Sequence, residues 1–125
     1  MSETARAALD QHLAAFVDDP STIAWPNRVF DPAKVTAYWK VSLLLVGINP
    51  EQGSENDHVQ GIYQVSRMSP PDSGIAQALK DCEALAQHFR LARLGDVQCG
   101  RPTIGTPMSQ PDRLHTPVSI PFLCL

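Results

Sequence analysis

At 125 residues the chain has the length of one domain, large enough for a single hydrophobic core without metal or disulfide staples. Charged residues make up 18%, below the roughly 25% of an ordinary domain, and eleven prolines imply an ordered protein with many interrupted connections. A net charge of −3 with scattered Lys and Arg argues against a free-standing phosphate or nucleic-acid binder, whose affinity rests on clustered cations.

In chain order, Ser2 and Glu3 can open a helix whose apolar face is Ala5, Leu9, Leu13, Phe16 and Val17, and Asp18-Asp19-Pro20 stops it. Glu3, Asp10 and His12 leave this segment without a secretory apolar core or a membrane-spanning length, so a soluble protein made in the cytoplasm is expected. Residues 23–30 are β-prone but broken by Pro26, which predicts a short edge strand before an Asp31-Pro32 turn. Residues 35–48 read as a long strand, with Val35, Ala37, Trp39, Val41, Leu43 and Leu45 facing the helices and Thr36, Tyr38, Lys40 and Ser42 facing away. Leu44 and Val46 make both faces apolar near its end, which points to cover by a second subunit.

Residues 49–60 are almost devoid of apolar side chains and predict a long solvated hairpin loop. A strand follows over 61–68 with Tyr63 and Val65 inward and Arg67 interrupting the alternation, and Pro70-Pro71 ends it. Asp72 or Ser73 can cap a second helix with a core stripe of Ile75, Leu79, Cys82, Ala86 and Phe89. Leu94-Gly95-Asp96 turns into a weaker strand over 97–104, interrupted at Gly100 and Pro102, and residues 106–113 read as another turn-rich loop. The last segment, 114–125, is a strand with Thr116, Val118, Ile120, Phe122 and Cys124 inward. Pro117 and Pro121 put two missing N–H groups on one side, so this strand is expected to close a margin of the sheet. The order predicts an α+β fold: an antiparallel (mixed) sheet with two helices packed on one face.

None of these elements carries a recognisable reaction centre. His12, His58, His88 and His115 fall in different elements without ligand spacing, and Cys82, Cys99 and Cys124 form no C-x-x-C pair. Neither a metal site nor a redox motif is therefore expected, and the thiols read as small buried hydrophobes of a protein from a reducing compartment. Glu51, Glu55 and Asp57 lack the alternating ligands of a calcium loop, and Gly95, Gly100 and Gly105 recur by five without a strand-to-helix phosphate turn. The aromatics Trp25, Phe30, Tyr38, Trp39 and Tyr63 have only Arg28, Lys40 and Arg67 beside them, too few cations for a nucleic-acid stacking platform. No catalytic residue, cofactor or metal is expected. A small enzyme using Cys99 or a histidine is the contrasting reading, and it needs a pocket that the sequence does not announce.

The opening residues 1–9, the Ile23-Ala24-Trp25-Pro26-Asn27 segment, Gly61-Ile62-Tyr63-Gln64-Val65 and Val118-Ser119-Ile120-Pro121-Phe122 resemble the tail terminator (tail completion) proteins of lambda-like long-tailed bacteriophages and prophages. Arg67 and the short tail after Pro121 depart from that family's pattern. The resemblance implies a single tail-terminator-like domain over residues 1–125. It further implies a subunit of a homo-hexameric ring, monomeric alone, that caps the tail tube protein, stops its polymerisation and offers a surface to the head-tail joining protein. Such a part makes no specific nucleic-acid or membrane contact, is assembled in the bacterial cytoplasm and ends in the virion tail. Another morphogenesis part, such as a head-tail connector or minor tail protein, is the alternative. The loops at 49–60 and 106–113 are the expected contact segments, with Glu51, Glu55, Asp57, His58, Arg67 and Arg113 as interface side chains.

Overall fold

The computed structural model describes residues 2–17, 19–26, 30–31, 37–48, 59–70, 74–109 and 113–124, without the side chains of residues 2–4, 20, 44–48 and 59. Helix α1 spans Ser2–Phe16 and buries Ala5, Leu9 and Leu13, as its four-residue spacing requires, with Phe16 and Val17 at the rim of the core. Asp19 then caps a single 3₁₀ turn, Pro20–Thr22, accepting from the Ser21 N–H (3.0 Å) and the Ser21 hydroxyl (2.7 Å). Helix α2 spans Ile75–Phe89. Its buried stripe is Ala78, Cys82, Leu85 and Phe89, not the Ile75-to-Phe89 series expected, and Ile75 is 54% exposed. Both spacings fit a helix and share Cys82 and Phe89; packing against the sheet selects the one that starts a turn later. The N-cap is Gly74 at φ 85° with no side-chain bond, and the expected caps Asp72 and Ser73 lie outside the described residues.

The strands are β1 (Ile23–Ala24), β2 (Tyr38–Ile48), β3 (Val59–Ser69), β4 (Arg93–Leu94), β5 (Val97–Cys99), β6 (Thr103–Ile104), β7 (Met108–Ser109) and β8 (Leu114–Cys124). Among the described residues they form one sheet in the order β1-β2-β3-β8-β5-β4, with β6 and β7 also on β8. Only β1 on β2 is parallel, through Ile23↔Trp39 and Ala24↔Lys40, so the sheet is mixed and mostly antiparallel, and the architecture is α+β. Both helices pack on one face. Their buried residues form one core cluster with Trp39, Val41, Tyr63, Val65, Val118, Ile120, Phe122 and Cys124. Strands β2 and β3 form the expected hairpin, with a bulge between Leu45 and Gly47. Residues 49–58, Val35, Thr36 and Pro32, like the side chains of Leu44 and Val46, lie outside what is described.

Strand β8 does not close a margin; it is the centre of the sheet. One side pairs with β3 over all eleven residues, and the other carries β5, β6 and β7 in turn. The missing N–H groups of Pro117 and Pro121 do face one side, and that side is laddered in three pieces rather than left bare. β5 pairs with Phe122 to Cys124, β6 with Val118 and Ser119, and β7 with Leu114 and His115, so each proline falls in a gap between pieces. A glycine sits in each gap. The Gly100 N–H donates to the Pro121 carbonyl and the Gly105 N–H to the Pro117 carbonyl, both at 2.8 Å. A proline cannot return the bond, so the reciprocal pair of an antiparallel ladder is half made and the strand breaks. At Gly100 the carbonyl accepts instead from the Leu91 N–H at 3.0 Å. The expected loop at 106–113 accordingly contains β7.

The glycines are required by contact as well as by hydrogen bonding: a Cβ at Gly105 would lie 2.7 Å from Pro117 Cγ, and one at Gly100 would lie 3.0 Å from Pro121 Cγ. Gly105→Ala should therefore destabilise the fold by about 1–3 kcal/mol, the range for overpacking. Gly100→Ala should cost less. Urea denaturation of the two variants measures both, and equal, near-zero losses would remove the proline–glycine account of the broken ladder.

Candidate assembly surface

Arg67 lies on the helix side of β3, the same parity as Tyr63 and Val65, which is why it interrupted the apolar pattern. Its Nε approaches Asp81 Oδ2 of α2 to 3.3 Å, an ion pair without in-line hydrogen-bond geometry. Its guanidinium lies 4.5 Å from the centroid of the Trp39 ring. With the two side chains 19% and 27% exposed, this pair and stacking tie α2 to the sheet at the rim of the core rather than in water. The groove outside it, about 340 Å³, is walled by Phe16, Val17, Trp39 and Ala84, with Asp19 and Asp81 at its edge.

Among the described residues, the far face of the sheet is covered at one end. Tyr38, on the parity facing away from the helices as expected, is 9% exposed there, its ring 4.8 Å from the Phe30 ring, with Arg113 5.3 Å above it. Met68 and Ser66 are buried on that side as well, since they share the parity opposite to Tyr63. His115 lies in the same row, paired in register with Met68, and burial, then the neighbouring Lys40 charge, push its pKa down. Toward the other end Ile62, Gln64, Ser119 and Leu123 are half-exposed and Pro121 is exposed.

Cys124 pairs with both Val59 and Val97, so the start of β3 lies at the same end of the sheet as the Gly95-Asp96 turn. The expected interface residues Glu51, Glu55, Asp57 and His58 lie outside the described residues. At the opposite end Ser69, Leu114 and Ser109 are in register, and Arg113 stands beside them. Arg67, two residues from that end, points to the helix side, whereas Arg113 borders the far face. Eleven-residue strands separate the two ends by about 33 Å. The structure thus brings Arg67 and Arg113 toward one end without joining them.

Two polar contacts inside the helix layer were not legible in the sequence. His12 of α1 and His88 of α2 stack with centroids 3.9 Å apart, and each Nε2–H donates to the other's backbone carbonyl at 2.8 Å. The His88 carbonyl belongs to the last turn of α2, where acceptors go short, and is capped by the His12 imidazole, whereas the His12 carbonyl lies before the last turn of α1. Tyr63, with no exposed surface, donates its hydroxyl to Asp10 Oδ1 at 2.5 Å, and burial, then that bond, raise the phenol pKa far above its usual value. Cys82, Cys99 and Cys124 are free and buried. Burial pushes the Cys82 and Cys99 thiols up to about 11, away from nucleophilic use. Among the described residues no group of three or more His, Cys, Asp or Glu is placed to hold a metal ion, and no helix is long and apolar enough to cross a membrane.

Comparison with known proteins gives one family. A family model described as phage tail terminator protein matches residues 4–122. No curated protein matches the chain. A solved structure 18% identical to it superposes with a TM-score of 0.77, covering 100% of this chain and 96% of its own, which shows a shared fold.

A lowered His115 pKa means that the unfolded chain binds the proton more readily than the folded one. The stability it contributes is complete above the unfolded value of about 6.5 and is lost as pH falls through the folded value. His115→Gln should flatten that part of the stability profile below pH 6.5, measured by urea titration at several pH values. Arg67→Ala should lower stability by about 1 kcal/mol and expose the Trp39 ring, seen as a red shift in tryptophan emission.

Proposed function

The chain belongs to the phage tail terminator family, structural proteins of the phage tail, and from that premise we propose that residues 1–125 act as one domain that caps the tail tube as a subunit of a homo-hexameric ring. The ring closes on the last ring of tube protein, replaces the surface on which the next would add, and presents its outer side to the head-tail joining protein. Heterologous contacts, one patch on each subunit against a different patch on the next, close into a ring when the rotation between neighbours is right. No bond is made or broken in this reading. The protein is assembled in the bacterial cytoplasm and ends in the virion tail.

One structural feature supports it best: β3 and β8 pair over all eleven residues, and the proposed contact segments, 49–60 and 106–113, adjoin opposite ends of these strands in sequence. A stopper between a tube and a head must hold two different neighbours apart, and β3 and β8 form a rigid spacer for that purpose. Glu51, Glu55, Asp57 and His58 at one end and Arg113 at the other are the proposed contact side chains, and Arg67 supports the second end through Asp81 and Trp39. The acidic total charge suits a ring whose lumen passes DNA without gripping it.

Phage particles made without the protein should carry tails of uncontrolled length and unattached heads by electron microscopy. A chain lacking residues 51–57 should fold, judged by its thermal transition, and give the same overlong tails. Tails of normal length and full infectivity from that deletion would overturn the role given to the 49–58 connection.

A further inference from the structure

Leu91 follows α2 with φ 54°, the non-glycine residue found in the left-handed region among those described, and it is 52% exposed. A helix commonly places glycine at this point because a Cβ is strained there. Here the backbone fixes the strain: the Leu91 N–H donates to the Gly100 carbonyl, and the Ala92 N–H to the Phe89 carbonyl. A leucine half in water gains little inside the subunit to offset that strain. Exposed Arg90 and Arg93 flank it in sequence, and the Leu91–Gly100 bond brings exposed Arg101 alongside. Three of the chain's ten Lys and Arg therefore gather at one corner, with Asp96 as the one acid within residues 90–101.

A groove of complementary character lies elsewhere on the same chain. Its walls are Phe16 and Val17 at the end of α1, Trp39 of β2 and Ala84 of α2, and its volume of about 340 Å³ is many times the ~30 Å³ share of one water, so a side chain fits. Asp19 and Asp81 stand at its edge against the single guanidinium of Arg67, which Asp81 and Trp39 already engage. The lining is therefore apolar within and net acidic at the rim, where the Leu91 corner is apolar within and basic at the rim. Groove and corner also belong to different margins of the sheet: Asp19 and Thr22 lead into β1, and Arg90 and Leu91 lead into β4. Two unlike patches at separate margins are what a head-to-tail contact requires, and a chain carrying both can repeat that contact from copy to copy.

We propose that Leu91, rimmed by Arg90, Arg93 and Arg101, inserts into the Phe16, Trp39 and Ala84 groove of a second copy of this chain, the repeating contact of the ring. This deepens the ring reading above and rests on it. The groove takes the leucine out of water, which offsets its left-handed strain, and the arginines meet Asp19 and Asp81, which orients the approach.

Assembly mass is measured by sedimentation, with and without purified tail tubes, for the wild type, Leu91→Gly, the triple R90E/R93E/R101E and Ala84→Tyr, each checked for a cooperative thermal transition. Leu91→Gly should melt at least as high as the wild type, because glycine relieves the strain, yet assemble about tenfold or more weakly. Ala84 is exposed, so Ala84→Tyr should fold and fill the groove, and it and the arginine triple should each stay monomeric. Mixed together, these two should form one-to-one pairs and nothing larger, because the triple's intact groove receives the other variant's intact corner and no further contact is on offer. If the wild type forms rings and the triple or Ala84→Tyr forms them equally well, or if the mixture stays monomeric, the contact is overturned and the ring stands. Rings of the triple that no longer bind tubes would give the corner to the tube protein and overturn the contact too. A wild type that stays monomeric with tubes present removes both.

Discussion

Strand β8 cannot donate a backbone hydrogen bond at Pro117 or Pro121, and the arrangement of the sheet follows from that pair of missing N–H groups. Both fall on one side because they are four residues apart in an extended chain. The other side is left whole and pairs with β3 along its full length, which makes β3–β8 the spine of the molecule. On the interrupted side the partner must be a strand that breaks twice in register with the prolines. Gly100 and Gly105 provide those breaks, giving an N–H to each proline carbonyl and no Cβ to collide with each ring. The freed Gly100 carbonyl then ties down the chain after α2, so the effect of Pro121 reaches the left-handed residue Leu91.

On the helix side the core is apolar, with polar groups admitted only where they are answered. Tyr63 reaches through the layer to Asp10, His12 and His88 bond to each other's backbone carbonyls, and Arg67 meets Asp81 over Trp39. These contacts join α1, α2 and the sheet at fixed points, adding register to a hydrophobic interface that by itself tolerates sliding. Thr116 is the exception: its hydroxyl is fully buried without a partner, and we have no physical account of it. The three cysteines lie buried in the core, and burial raises the pKa of Cys82 and Cys99.

Rigidity is what a tail structural protein needs. The paired strands β2 and β3 and the central β8 fix the separation of the two ends of the sheet. The far face of the sheet is divided, closed by Tyr38, Met68 and Phe30 at one end and half-open along Ile62, Leu123 and Pro121 at the other.

Period and parity in the sequence determined the helices, the long β2 and β3 strands, the inward row of β8, the one-sidedness of its prolines and the inert cysteines. Those features depend on neighbours one to four residues away. Only tertiary structure decided that β8 is central and not marginal, because whether a proline-bearing side is bare or laddered depends on the spacing of glycines 12 and 21 residues earlier, Gly105 before Pro117 and Gly100 before Pro121. The five-residue recurrence of Gly100 and Gly105 was visible, but its meaning was not until the prolines stood opposite. The same holds for Ile75, where two helical stripes compete and the sheet selects between them, and for Arg67, whose break in the pattern is answered by Asp81 across a helix. His12 and His88, 76 residues apart, carry no mark of each other in the chain. Local preference is written residue by residue, whereas pairing between distant segments is chosen by which surfaces can be buried together, and that choice exists only in the folded molecule.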